Sequence, residues 1–231
     1  DNVQGATDVG PNPDSLPGYY GLAAGSWKHF ASVWGVDYDW IKGRYAPDMM
    51  EKSGTTVSRW VDAVLEKNDM IDQQTNVKGL FFWGHAPNSQ TRGLDMKRAM
   101  NKLDLLVVVD PYPSATAAMA AMPPAEGDTV NKNRNVYLLP AATQFETVGS
   151  ATASNRSLQW REKVIDPLFE SVPDHVIMQA FADRLGFGEE LSKNYKILNS
   201  KFAGKQWREP QIEDILREIN RSVWTIGYTG Q

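Results

Sequence analysis

The chain has 231 residues, 42% hydrophobic and 23% charged, with a formal net charge of −4, an ordinary globular composition. That charge offers phosphate backbones no general attraction, and Lys and Arg are scattered, so no nucleic-acid partner is expected. Without cysteine there is no disulfide, thiolate nucleophile or Cys-ligated metal, and no apolar run approaches the roughly 20 residues of a membrane-spanning helix.

In chain order, residues 1–25 are rich in Gly, Pro, Asn and Asp (Gly10-Pro11-Asn12-Pro13-Asp14, Leu16-Pro17-Gly18) and are expected to form an extended loop. Ser26 can cap a helix from Trp27 to Trp34, with Trp27, Phe30 and Trp34 at helical spacing. A second helix, about Thr56 to Glu66 with Thr55 as candidate cap, puts Trp60, Val61 and Val64 on one face. The apolar run Val77 to Trp83 reads as a strand, Gly84 to Gly93 as a polar loop, and Met96 to Leu103 as a crossover helix. Leu105 to Val109 is a second strand, ending at Asp110-Pro111.

Ser114 starts a helix, Ala115 to Met122, that is almost all Ala and Met and that Pro123-Pro124 stops. Residues 124–134 form a polar loop with Asn131-Lys132-Asn133-Arg134 at its tip. Val136 to Pro140 is a third strand, wholly apolar as buried parallel strands are. Ala141 to Val172 reads as one long irregular stretch, of the kind that is functional or packs on another domain. Asp174 caps a helix from His175 to Leu185, Gly186 ends it, and Pro210 opens a last helix, Gln211 to Asn220. The expected organisation is a lead-in loop from a preceding domain (1–25), an α/β domain (26–186) and a helical or extended linker towards the next domain (187–231). The loop-like opening without Met and the uncapped close lead us to expect a piece of something larger.

Strand, polar loop, helix, strand, acid is the layout of a nucleotide-binding half-site at the carboxyl edge of a parallel sheet. The loop Gly84 to Gly93 is neither a GxGxxG fingerprint nor a GxxxxGK[ST] phosphate loop. Two readings stand: its amides face an anion, or it is an ordinary strand-to-helix turn set by Pro87. Asp110 likewise either accepts hydrogen bonds from ribose hydroxyls or a guanine edge, or satisfies its own loop amides. A phosphoacceptor role needs an acidic pair at an earlier strand end, which is not there. His85 has no carboxylate or nucleophile beside it, so a phosphate contact suits it better than general-base work. His29, inside an aromatic helix, reads as a core-edge residue, and the three histidines (His29, His85, His175) are too far apart to form a metal site by spacing. Asn155 to Arg161 joins two guanidinium groups to an indole, suited to an anion, another domain or a solvated turn.

Asn2-Val3-Gln4-Gly5-Ala6-Thr7-Asp8-Val9-Gly10, with Leu16-Pro17-Gly18-Tyr19, resembles the segment after the active-site arginine in large subunits of formate dehydrogenases, members of the molybdopterin oxidoreductase (dimethyl sulfoxide reductase) family. Gly84-His85-Ala86-Pro87-Asn88 resembles that family's Gly-x-Asn-Pro loop, with Ala86 where Asn or Asp is usual. Leu103 to Pro111 looks like its second-strand signature, and Ser114-Ala115-Thr116-Ala117 like its Thr-x-Thr-Ala helix start. Leu138-Leu139-Pro140-Ala141, then Glu146 to Gln159, are similar to its Leu-Pro stretch followed by Glu, Gly, Asn, Arg and Gln. The likeness runs from about Asp1 to Gly186.

The resemblance implies a Rossmann-like, three-layer α/β domain with a short, mostly parallel sheet and helices on both faces. Such enzymes hold Mo or W between two molybdopterin guanine dinucleotides, and this chain resembles the domain that berths one tail. By position, Gly84, His85 and Ala86 would approach that tail with Ser89 or Gln90 nearby. Asp110 and Pro111 would contact its guanosine end, and Ala141 and Asp174 also align with cofactor-contact positions. The metal ligand and the 4Fe-4S cysteines would lie outside this chain, which alone is expected to be inactive. The implied partners are the rest of the catalytic subunit, an iron–sulfur electron-transfer subunit and formate, with no direct membrane span and a periplasmic location. The alternatives are a pterin-free scaffold relative, or another oxidoreductase of the family such as a nitrate reductase.

Overall fold

The computed structural model describes residues 2–65, 75–85, 92–114, 116, 118, 123–124 and 126–222. It divides into two compact units, one made of residues 55–142 and the other of 1–54 with 143–231. The units interleave along the chain, whereas the boundaries at 25 and 186 were drawn sequentially.

The unit 55–142 is the expected α/β arrangement. Helix α4 (Trp60–Leu65) precedes strand β1 (Gly79–Trp83), helix α5 (Gly93–Lys102), strand β2 (Leu105–Asp110) and strand β3 (Asn135–Pro140). Both pairings are parallel, in the order β1-β2-β3, with Phe81 opposite Val107 and Val107 opposite Tyr137. Met96, Ala99, Met100 and Leu103 recur at helical spacing and meet Phe82, Leu106 and Val108 from one face of the sheet. Trp60, Val61 and Val64 of α4 complete that core, Trp60 meeting Phe82 edge-on with ring centroids 5.4 Å apart. On the other face of β2, Val107 and Val109 are also buried. Most of the expected Ala115–Met122 helix lies outside the described residues, although the Ala118 amide donates to the Ser114 carbonyl.

Two expectations for this unit are corrected. β3 is not buried: it forms the sheet edge, with Val136, Tyr137 and Leu138 exposed by 41%, 53% and 40%. An apolar run therefore does not tell a central strand from an edge strand. The segment Asn131–Arg134 is not a free loop tip. Arg134 donates to Met100 O and Asn101 Oδ1 at the end of α5, and Asn131 donates to Leu103 O and Asp104 Oδ1.

In the other unit the supposed lead-in loop is a helix, α1 (Val3–Val9), followed by a 3₁₀ turn (Pro17–Tyr19). Distant partners make it one. A Cβ on Gly5 would stand 2.1 Å from Thr152 O, Asn2 donates to the same carbonyl, and fully buried Asp8 takes Tyr19 Oη at 2.7 Å and Arg156 Nε at 3.2 Å. Helix α2 (Ala24–Trp34) begins two residues before Ser26, so Ser26 lies inside it rather than capping it. It ends on left-handed Gly35, and α3 (Tyr38–Lys42) follows, capped by Asp37. Trp27, Phe30, Ala31 and Ile41 form the core here, and His29 stacks on Tyr20 at 5.2 Å.

The stretch from Ala141 to Val172 is not wholly irregular. It contains an antiparallel hairpin, β4 (Gly149–Thr152) with β5 (Leu158–Arg161). Asn155 accepts the Ser157 amide at its turn, and Arg156 takes φ +66°. Helix α6 (Asp174–Leu185), short α7 (Gly188–Leu191), a second hairpin β6 (Ile197–Phe202) and β7 (Lys205–Pro210), and α8 (Ile212–Ser222) complete the unit. Pro210 closes β7 instead of opening the last helix. Leu106→Ala is expected to cost about 2–5 kcal/mol, and exposed Leu94→Ala less than about 0.5, in urea unfolding of the protein.

Candidate functional site

Three parallel strands bring three strand ends to one edge. The Gly84 amide donates to Val109 O at 2.9 Å, and the Ala141 amide donates to Asp110 O at 3.2 Å. Gly84, Asp110 and Ala141 thus follow one another across the carboxyl edge, each step being one inter-strand spacing of about 4.8 Å. Gly84 has φ +58°, and a Cβ built on it would meet nothing within 4 Å. Its glycine answers to backbone conformation, and no described atom fills the space before it.

Asp110 is half-buried at the end of the middle strand. Its Oδ1 accepts the Tyr112 amide at 2.9 Å, so the turn role is real. Oδ2 has no hydrogen-bond partner among the described residues, which leaves an acceptor on the edge. Pro111 is exposed, while Ala141 is 4% exposed and offers backbone rather than side chain. His85 is half-buried directly after Gly84. Ala86, Ser89 and Gln90 lie outside the described residues. Asp174 belongs to the other unit, where it is the first residue of α6, and Pro173, not Asp174, holds the cap position.

Sequence reasoning gave Ser114 only the start of a helix. Its Oγ is buried without a hydrogen-bond partner, four residues beyond Asp110 on the segment leaving β2. A buried hydroxyl left unpaired costs about 1–3 kcal/mol, so a polar group supplied from outside would be favoured. The other feature missed is Asp62, 3% exposed on α4, which takes Arg59 Nε at 2.8 Å and Arg92 Nη1 at 2.6 Å. The neighbouring Asp62 and Asp95 carboxylates hold the Arg92 guanidinium above its ordinary pKa. Its signal in the sequence was faint: an acid among the apolar residues of an amphipathic helix.

The run Asn155–Arg161 is engaged within its own unit. Arg156 pairs with Asp8, and Arg161 donates to Gln144 O and Thr147 Oγ1. Glu146 is a staple, its two oxygens accepting the amides of Thr143 at 2.7 Å and Leu168 at 2.8 Å.

An α/β unit with a glycine at one strand end and an acid at the next has the layout of a nucleotide-type half-site. The chain belongs to the molybdopterin oxidoreductase family, whose pattern matches residues 15–184. It is 28% identical over 221 residues to the F420-dependent formate dehydrogenase subunit alpha of Methanocaldococcus jannaschii, covering 95% of this chain and 25% of that protein. It is 30% identical over 190 residues to the "Probable oxidoreductase YjgC" of Bacillus subtilis, covering 81% of this chain and 16% of that one. With F420-dependent formate dehydrogenase 1 subunit alpha of Methanococcus maripaludis the identity is 27% over 194 residues, 84% of this chain and 23% of the relative. The chain therefore spans a quarter or less of the length of these relatives.

Membership implies a molybdopterin-type cofactor. The residues on the edge fit the polar end of such a group, with open space at Gly84, an available Asp110 oxygen and the unpartnered Ser114 hydroxyl. Asp110 would accept N–H or O–H groups, Ser114 would donate or accept, and the Gly84–His85 backbone would take the closest approach.

Glu146 gives a pH prediction. Burial pushes its carboxyl up, but the Thr143 and Leu168 amides outweigh burial and hold its pKa below the ordinary carboxylate value. The stabilisation is then complete above the unfolded value of about 4.3 and is lost as pH falls through the folded one. Glu146→Gln is expected to lower stability by about 1–3 kcal/mol at neutral pH, with the difference from wild type shrinking below about pH 4 in denaturant titrations.

Proposed function

We propose that this chain is the part of a molybdenum- or tungsten-dependent formate dehydrogenase catalytic subunit that berths one pterin guanine dinucleotide. The observation that carries this reading is Asp110, held at the end of the central parallel strand between two neighbouring strand ends, with one carboxylate oxygen used by its own turn and the other available. Guanine N–H groups or ribose hydroxyls are the donors such an oxygen suits. Likeness to formate dehydrogenase alpha subunits supports formate as the substrate of the whole protein.

When bound, the cofactor supplies the redox chemistry, while this chain binds and orients one end of it. Gly84 and His85 would lie against the phosphates, Asp110 and Ser114 against the nucleoside, and Ala86, Ser89 and Gln90 along the same loop. Asp174 is proposed as a cofactor contact by family resemblance alone. The metal ligand and the 4Fe-4S cluster that receives electrons from formate are assigned to the rest of the subunit, and an iron–sulfur partner subunit would take them onward.

A hydrogen bond to a charged group is worth about 1.5–3 kcal/mol, so Asp110→Ala in the intact subunit is expected to weaken cofactor retention roughly ten- to a hundredfold. GMP released by acid, counted per folded polypeptide, is the measurement. Wild-type content in the variant would remove Asp110 from the site, and no GMP from folded wild type would favour the pterin-free scaffold.

A further inference from the structure

Between β5 and α6 the chain turns its apolar side chains outward. Val164, Ile165, Leu168 and Phe169 are all exposed, Phe169 by 94%. Exposed Trp160 precedes them on β5, and exposed Phe145 is bonded to them through its carbonyl. Single apolar residues are ordinary on any surface, but a cluster of them on one stretch marks a place of contact.

The stretch is nonetheless pinned. The Val164 and Ile165 amides donate to Phe145 O at 2.9 and 3.2 Å, and the Leu168 amide donates to Glu146 Oε1 at 2.8 Å. Ser171 closes the turn, its amide and its hydroxyl both donating to Leu168 O. Phe169, between these ties, takes φ +55°, a left-handed backbone unfavourable for a bulky side chain. Strain of this kind persists only where the surroundings impose it, and here it carries an aromatic ring into solvent.

Charge narrows the occupant. Glu162, Asp166 and Glu170 are exposed among these apolar residues, against Lys163, which pairs with Asp166 at 2.5 Å. Arg161, the cation before them, is engaged with Gln144 O and Thr147 Oγ1. An apolar centre with an acidic rim has the anatomy of a protein interface, and its complement is apolar with a basic rim. An anionic bilayer would repel the same three carboxylates. Contacts between domains of one chain are as a rule more polar than this, whereas subunits that stay together bury apolar faces.

We infer that this face, centred on Phe169, docks a partner subunit through an apolar recess ringed by Lys and Arg, with Phe169 as its anchor. This rests on the reading of the chain as part of a catalytic subunit that works with other subunits.

The test uses the native enzyme purified with its own partner subunits, and its Phe169→Asn, Glu170→Lys and Leu94→Ala variants. Asparagine tolerates a left-handed backbone better than phenylalanine, so Phe169→Asn should leave the thermal midpoint of the intact catalytic subunit unchanged or higher. Its affinity for the partner is expected to fall by at least about tenfold, read by native mass spectrometry over a dilution series. Glu170→Lys should weaken binding several-fold and flatten its salt dependence. Leu94→Ala, which trims an exposed apolar side chain elsewhere, should change neither. Hydroxyl-radical labelling of Phe169 should be low in the complex and rise once the partner is stripped off. High labelling in the complex, wild-type affinity in Phe169→Asn, or an active enzyme with no second kind of subunit overturns the inference. So does protection of Phe169 in the isolated monomer, where the rest of the subunit covers the face, or protection that appears only on self-association. Flotation of the isolated subunit with phosphatidylcholine–phosphatidylglycerol vesicles, lost in Phe169→Asn, overturns it in favour of a membrane. GMP content is read on the same samples. Wild-type GMP with an open Phe169 strikes the interface alone, while no GMP with a partner-covered Phe169 strikes the dinucleotide berth alone.

Discussion

Everything at the candidate site depends on β2 pairing in parallel with both β1 and β3. Parallel strands all run the same way, so each must end on the same edge, and the loops that follow are forced to share it. The register carries a second consequence. Leu106 and Val108 face the core of α4 and α5, and a slip of one residue would exchange them for Val107 and Val109. It would also separate Asp110 from the Gly84 and Ala141 ends. Packing on the face of the sheet therefore fixes geometry at its edge.

The second organising element is a set of buried carboxylates, each answered by at least one group remote in sequence. Asp62 gathers Arg59 and Arg92 within the α/β unit. Within the other unit, Asp8 gathers Tyr19 and Arg156, and Glu146 gathers two backbone amides. A buried charge is tolerated only when paired and hydrogen-bonded, so each such acid pins the segments that satisfy it. In this way α1 is held to the β4–β5 hairpin, the segment after β3 is folded back on itself, and the start of α5 is held to α4. Segments with little apolar periodicity acquire fixed positions by this means.

Local pattern alone was enough for the α/β unit. The apolar run Leu105 to Val109, the 96-99-100-103 spacing and the glycine at the strand end specify strand, helix and turn through contacts between near neighbours. Asp110 was legible for the same reason, as an acid directly after an apolar strand. Tertiary structure decided what periodicity does not encode. It made residues 3–9 helical by docking Gly5 and Asp8, built one hairpin in a supposed irregular stretch and another in a supposed linker, and put apolar β3 at the edge of its sheet. It also left Ser114 buried without a partner and drew Arg92 into a left-handed turn on Asp62. The sequence determined which segments form the three parallel strands and which acid ends the central one, because those follow from side chains a few residues apart. Which strand lies at the edge, and which distant charge each buried acid meets, was set only when the chain closed on itself, because burial belongs to the assembled fold and not to any local stretch.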